Sequence, residues 1–367
     1  MTKLAFHHNS RHTIGVELEL GVVDAEHGNL TSGSNEILDR LTPDLVPHVK
    51  HELVQSCVEV ISGVCEDVSQ VRHDLEGKLA QVQSAAHASG SKLWWGATHP
   101  FSVWEDQQIT DDDRYQNLVT MLQEMARRLV TFGLHVHVAV DSGDKAVMIC
   151  DRIMQHLPTL LALSASSPYW QNRDTGLDSY RSKVMEGLPT AGLPSLMRNW
   201  SEYVWLVNHM VETGFIQSIR EIWWDVRPHH NFGTVEVRVC DMPGSLDDVC
   251  ALTALVQCLV KYLNDDIDEG TYQFDCHPMM VRQNKWRAAR FGLDAKLVDA
   301  NDYQVHPVRS IASNMVEQLT DTAADLSCTS ELQHVREIAA GPSWANRQRN
   351  IMQKSQNPAE IIRQLAR

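Results

Sequence analysis

Three stretches of this chain carry an alternation that restricts the folds it can adopt. In TIGVELELGV (Thr13–Val22), Glu17 and Glu19 are interleaved with Val16, Leu18 and Leu20. Side chains on a strand point alternately to its two faces, so both glutamates share one face and the aliphatic residues share the other. TFGLHVHVAV repeats the arrangement, with His135 and His137 against Leu134, Val136 and Val138. NFGTVEVRVCD does so again, with Glu236 and Arg238 against Val235, Val237 and Val239. If the three strands belong to one sheet with coincident charged faces, they form a wall of carboxylate, imidazole and guanidinium. Taken singly, each pair reads as the solvated face of an antiparallel sheet. Taken together, the residue types favour a site. Solvated strands carry threonine, lysine and mixed polar residues, whereas Glu, His and Arg alone stand here. Packed carboxylates also repel one another unless cations sit among them.

The remaining pattern predicts an α+β fold. Strands are expected at 13–22, 53–61, 92–98, 132–140 and 232–240, and helices at 65–90, 114–130, 144–163, 195–213, 246–264, 310–340 and 357–366. Clean alternation fits a sheet with one polar face better than a doubly wound parallel sheet, whose strands are apolar on both faces. We expect a single domain over 1–367, with a sheet-and-helix core over 1–264 and a mainly helical part over 265–367. With 367 residues, 43% of them hydrophobic, the chain can bury a large core. The formal net charge of −15 opposes a polyanionic partner and excludes nucleic acid as the natural ligand. No apolar run approaches the roughly 20 residues that span a bilayer, and MTKLAFHHNSRH has no apolar leader segment, so a cytoplasmic protein is expected. The eight cysteines form no C-x-x-C pair and read as reduced and mostly structural.

A fourth segment, HELVQSCVEVISG, supplies Glu52 and Glu59. Their opposite parity means that one flat strand cannot place both on one face, so Glu52 sits in a preceding turn or a bulge intervenes. Carboxylate clusters choose hard cations such as Mg2+, which keep part of their shell for water and substrate phosphates. Same-face neighbours on a strand lie roughly 6.6 Å apart, and paired catalytic metals about 3.5–4 Å apart. Glu17 and Glu19 can therefore each serve a different ion of one cluster. Arg238, beside a metal glutamate, would stabilise charge on a transferring phosphoryl group. The chain has no G-x-x-x-x-G-K-[ST], no G-x-G-x-x-G and no G-x-S-x-G, so phosphates would be gripped by metals and arginines. Two other readings stand beside a nucleotide enzyme: a zinc-dependent amide hydrolase using the H-x-H pair, and a non-catalytic binding protein on a retained fold.

GVELEL, HELVQSCVEVISGVCEDV, GLHVHV, LSASSPYWQNRDTGLDSYRS, LPTAGLP, WWDVRP, GTVEVRVCD and NKWRAARFGLDA, in this order, resemble the carboxylate–amine ligase family, also called glutamate–cysteine ligase type 2. The resemblance runs from about Thr13 to about Asp294 and implies a glutamine-synthetase-like fold, a curved and mostly antiparallel sheet forming a funnel with helices outside. It implies an ATP-dependent reaction in which a carboxylate is activated as an acyl phosphate and an amine then displaces phosphate to give an amide. Glutamate and cysteine are the reference substrates, and weak activity on them is common in this branch. The implied cofactors are ATP and two or three Mg2+ ions, with Mn2+ as an alternative; the implied partners are small molecules and a second subunit in a homodimer, with no nucleic acid and no membrane. By the same resemblance, Glu19, Glu52 and Glu59 hold one ion, and Glu17, His135 and Glu236 hold another beside the nucleotide. Arg238 contacts phosphate, and Arg181 and Arg227 bind carboxylate or phosphate near the substrate through the guanidinium fork. His137 stays open between a ligand and a hydrogen-bonded sheet histidine. His7, His8 and His12 read as a flexible surface cluster. At most one of Trp94 and Trp95 lines the funnel. Arg287 and Arg290 read as a solvated helix face, with a nucleotide or substrate role as the alternative.

Overall fold

The computed structural model describes residues 4–271 and 276–367; the first three residues of the polar N-terminus and residues 272–275 of the C-terminal part lie outside them. The valine- and leucine-rich alternating stretches all become strands of one seven-stranded sheet. Its members are β1 (Ile14–Asp24), β2 (Val49–His51), β3 (Cys57–Ile61), β4 (Ser91–Trp94), β5 (Gly133–Ala139), β6 (Val226–His229) and β7 (Thr234–Asp241). The order is β6-β7-β5-β1-β3-β2, with β4 on the remaining length of β1, and every pairing is antiparallel.

Register does the work that alternation only promised. Glu17 lies opposite His135 and Val16 opposite Val136. Glu19 lies opposite Glu59 and Leu18 opposite Val60. His137 lies opposite Glu236, which lies opposite Arg227. Even one step of slippage would mix the oily and charged sides, because side chains alternate with period two. On the oily side, Ile14, Val16, Leu18, Leu20, Val136, Val138, Val235 and Val237 are fully buried. Against them pack helix α1 (Val68–Ala88), through Val71, Leu75, Leu79 and Val82, and a long helix over Leu246–Asp268. Asp67 caps α1 by accepting from the Gln70 backbone N–H. One apolar cluster runs from Ile14 to Ile362, so the C-terminal helices share the core of the sheet. No described helix is long and apolar enough to cross a membrane.

Several boundaries differ from expectation for local reasons. Of the strand expected at 53–61 only Cys57–Ile61 forms, and Glu52 lies in the connection between it and Val49–His51, in keeping with its opposite parity. The helix expected at 144–163 breaks before Pro158 into Gly143–Ile153 and Leu157–Ser164. Proline lacks the N–H that a continuous helix would use there. The segment 310–340 is three helices, and 114–130 is interrupted at Gln123, whose φ is 52°. Helices at Pro278–Phe291 and Trp344–Ser355 fall within the part expected to be mainly helical, whereas a short hairpin over Lys296–Val298 and Val305–Pro307 was not anticipated. Trp94 and Trp95 are both core residues. The N-terminal histidines are docked rather than free: the His7 N–H donates to His230 O, His8 Nδ1 lies 2.6 Å from Asp141 O, and His12 Nδ1 lies 3.0 Å from Ala139 O.

Beyond β4, His99 is buried with Nε2 at 2.8 Å from Gly28 O, while Nδ1 accepts from Phe101 and Ser102 backbone N–H groups. Both ring nitrogens are committed to the neutral form, and burial lowers its pKa to about 3. An unfolded histidine takes its proton near 6.5, so below that pH the unfolded chain binds more protons than the native one. This group's contribution is therefore complete above about pH 6.5 and falls by about 1.4 kcal/mol per pH unit on acidification towards pH 3. Urea unfolding of wild type and His99→Asn between about pH 7 and pH 5 checks this: the variant should lose roughly one proton's worth of slope, and identical slopes would refute it.

Candidate active site

The polar face of β1, β3, β5, β6 and β7 gathers the charged residues into one wall. His135 Nδ1 lies 3.1 Å from Glu17 Oε2, and its Nε2 lies 3.7 Å from Glu19 Oε1. His137 Nε2 lies 3.3 Å from Glu17 Oε1 and 3.9 Å from Glu236 Oε1, while its Nδ1 is 3.0 Å from Thr234 Oγ1. Both histidines are buried, and the Nε2 of each has no hydrogen-bond partner. Arg227 grips Glu236 with Nε at 2.7 Å and Nη2 at 3.2 Å, and Arg238 Nη1 donates to the same carboxylate. The remaining Arg227 Nη1 donates to Ile222 O. Arg227 therefore orients Glu236; its fork is occupied within the protein, where the resemblance had implied a substrate contact.

The electrostatics divide the wall. Burial alone would raise the Glu236 pKa, but Arg227, Arg238 and His137 hold it well below the usual range. Burial likewise opposes ionisation of Glu17, and the charge on His137, with the hydrogen bond to His135 Nδ1, overrides it. His137 is raised because Glu236 and Glu17 outweigh its burial, whereas burial and Arg238 lower His135. On the other side, burial and the charges of Glu19 and Glu17 push Glu52 up to about 8. Glu59 is raised well above its ordinary value by burial and by Glu17, Glu52 and Glu19. Four carboxylates thus converge where protein cations are too few to ionise them all, which is the donor set a divalent ion supplies with charge.

The ligand atoms of Glu17, His137 and Glu236 lie within 4.8 Å of one another, and so do those of Glu17, Glu59 and His135. The two buried imidazole nitrogens without hydrogen bonds belong one to each set, so the residues fit metal ions. These groupings differ from the division implied by resemblance: His137, left open before, joins Glu236, and His135 joins Glu59, while Glu17 is common to both. Glu52 and Glu19 border the second set.

Arg181 has a different setting from Arg238. Its guanidinium is buried against β7, with Nη1 3.4 Å from Val239 O and Nη2 3.3 Å from Arg238 O. Room for it exists because residue 133 is glycine: a Cβ there would stand 2.1 Å from Arg181 Nη2. The Gly133 N–H donates to Glu19. Arg287 donates to Lys296 O and Arg290 stacks on the exposed Phe291, both on the outer side of their helix.

Three residues escaped sequence reasoning. Asp241 is wholly buried, accepting from the Ser166 N–H and from the Ser167 and Ser179 hydroxyls, 4.0 Å from Arg181. Parity counted from Glu236 assigns it to the oily side, but β7 bulges between Val237 and Cys240, so Asp241 lies opposite Gly133 on the polar face. Lys285 and Asp225 form a buried ion pair of 2.5 Å beside this site. A signal for Lys285 was available: it shares the buried helical face of Val281, Ala288 and Ala289, an unusual place for a lysine.

Gly133→Ala is expected to expel Arg181 from its seat and destabilise the protein by about 1–3 kcal/mol through overpacking. Arg181→Ala in the same chain removes the clash, so the double variant should melt above Gly133→Ala. Additive losses in thermal melts would show that the glycine serves another purpose.

The chain matches the model for Glutamate-cysteine ligase family 2 over residues 13–367. A Gloeobacter violaceus protein named "Putative glutamate--cysteine ligase 2" is 42% identical over 364 residues, covering 99% of this chain and 98% of that one. A Frankia casuarinae relative, of the same name with the suffix 2-1, is 42% identical over 357 residues, covering 96% and 94%. Among solved structures, the glutamate–cysteine ligase of Francisella tularensis in complex with AMP superposes with a TM-score of 0.74 at 13% identity, covering 98% of this chain and 89% of that one. A bifunctional glutathione synthetase from Pasteurella multocida gives 0.71 at 15% identity, covering 97% and 52%. At those identities the structures speak for the fold.

Proposed function

Since the chain belongs to the glutamate–cysteine ligase family 2 and is an ATP-dependent carbon–nitrogen ligase, we propose that it joins the γ-carboxylate of L-glutamate to the amine of L-cysteine. The products are γ-glutamylcysteine, ADP and phosphate. The observation that carries this is the shared polar wall, on which two buried histidines without Nε2 partners and four converging glutamates stand beside Arg238. Mg2+ ions, when bound, would neutralise phosphate oxygens; Glu17 with His137 and Glu236 would hold one, and Glu17 with Glu59 and His135 another, with Glu19 and Glu52 beside them. Arg238 stands where it can meet charge on the transferring phosphoryl group. Arg227 keeps Glu236 ionised and in place, and Arg181 keeps the β7 backbone behind Arg238. Burial of the wall excludes water, which would otherwise hydrolyse an acyl phosphate. The same reading makes this a cytoplasmic enzyme of small-molecule substrates.

At the Glu17 and His137 end, a cavity of ≈440 Å³ opens between Ile61–Val64 and Phe232. Its lining is largely apolar, and Phe232 and Val64 are 57% and 82% exposed. An apolar slot with an aromatic rim next to a metal set suits a nucleotide base. We place the ATP base there, with its phosphates running along the wall towards Arg238.

ADP release with glutamate and cysteine, with mass spectrometry of the product, tests the reaction; a protein that forms no ADP with any amino-acid pair would overturn it. Glu236→Gln keeps shape but removes the charge, so turnover should fall by about a hundredfold or more. The rise in melting temperature that magnesium and ATP produce should shrink with it. Unchanged turnover and an unchanged rise would remove Glu236 from the site. For the cavity, Phe232→Ala should raise KM for ATP by about tenfold with kcat little altered; an unaltered KM would move the base elsewhere.

A further inference from the structure

The side chain of Arg238 is aimed by a bulge, and the bulge is held from both sides. Two residues of β7, Arg238 and Val239, stand opposite the single residue His135 of β5, because Val237 pairs with Val136 and Cys240 with Leu134. The backbone at Arg238 therefore leaves the ladder on the β5 side. Its carbonyl and that of Val239 are taken by Arg181, the first residue of the short helix Arg181–Met185. Its N–H donates to Asp225 O at 2.8 Å, on the segment that leads into β6. The Asp225 N–H is in turn fixed to Gly192 O.

One cation joins the two holders. Lys285 projects from the helix Pro278–Phe291 and is 2% exposed. Its Nζ lies 2.5 Å from Asp225 Oδ2 and 2.8 Å from Glu186 Oε1. Glu186 directly follows the helix that begins with Arg181. The ammonium thus ties the strand that grips the Arg238 N–H to the helix that grips the Arg238 carbonyl. The same helix is anchored one residue earlier, where the Asn284 side chain pairs with both backbone groups of Val298. Burial works against the charge on Lys285, and the two carboxylates keep it protonated.

We propose that Lys285, through Asp225 and Glu186, is a positioning residue that sets the direction of Arg238 without touching substrate. What Arg238 contacts rests on the ligase reading; how it is aimed does not. The arrangement explains why a buried lysine is retained where an apolar residue would pack. Its value lies in joining two segments at one point, which a hydrophobic contact cannot specify as sharply.

Lys285→Met alone leaves Asp225 and Glu186 facing each other and can fail to fold. The informative variant removes all three charges together, Lys285→Met with Asp225→Asn and Glu186→Gln, assayed beside Lys285→Arg. For the triple variant we expect a melting temperature near wild type and an ATP–magnesium Kd within about threefold by calorimetry. Its kcat should fall about 100-fold, the cost of a roughly 1 Å misplacement. Lys285→Arg, which keeps the charge, should recover much of the loss. A triple variant with wild-type kcat overturns the proposal, and so does one whose loss of kcat is matched by equal losses of melting temperature and nucleotide affinity. Absence of ADP release from wild type would refute the ligase reading instead. In that event a crystal structure of the triple variant decides, since Arg238 displaced from Glu236 supports the proposal and Arg238 unmoved refutes it.

Discussion

Glu236 is the carboxylate on which the rest of the site depends. It is almost fully buried, and it is held by the fork of Arg227, by Arg238 and across the strand by His137. Glu236 and Glu17 raise the His137 pKa against its burial, and the charge on His137 in turn holds Glu17 well below the usual carboxylate range. Glu17 then carries negative charge to the centre of the wall, where it raises Glu59 and Glu52. The chain of influence runs along the sheet from β6 to β2, one register pair at a time. A register slip at any pair would break it, because the charged residues would exchange faces with valine and leucine.

This gives the wall two ends of opposite character. At the arginine end, phosphate-like charge would be welcome. At the glutamate end, a bare polyphosphate would be repelled unless divalent ions came with it. A nucleotide laid along the face would therefore have one polarity that the fixed charges favour, and in the proposed reading its base lies in the apolar cavity beside Glu17. The same division explains why the fold tolerates its own repulsion: the oily side of every strand is packed into one continuous core, so the cost of assembling the polar face is offset by aliphatic burial on the reverse of the same residues' neighbours.

Much of this was legible in the sequence, because period-two alternation reports on faces directly. Glu17 with Glu19, His135 with His137, and Glu236 with Arg238 could each be assigned to one face of its strand from spacing alone, and the antiparallel order of the strands brings those faces together. Glu52 could be placed in a turn because its parity disagreed with Glu59. Pairing between strands was not legible. It takes the register to show that His137, left open in the sequence, faces Glu236. The helical boundaries failed where one residue overruled a periodic pattern, as at Pro158 and at Gln123 with its positive φ.

The bulge in β7 shows why the last part of a site resists reading. Up to Val237 the count is regular and each residue's face follows from the one before. A single extra residue then reverses every later assignment, so that Asp241, expected among the aliphatic residues, lies over Gly133 on the polar side. No residue in VRVCD announces this, since the sequence contains no glycine there to mark it. The irregularity is held by groups outside the strand: the Arg181 guanidinium on the carbonyls and the Asp225 carbonyl on the N–H. The Arg181 guanidinium sits where Gly133 leaves space, and Lys285 pairs with Asp225 and with Glu186, which follows the Arg181 helix. Local pattern specifies a strand, whereas the departure from pattern that aims Arg238 is specified by contacts with Arg181 and Asp225, outside the strand itself.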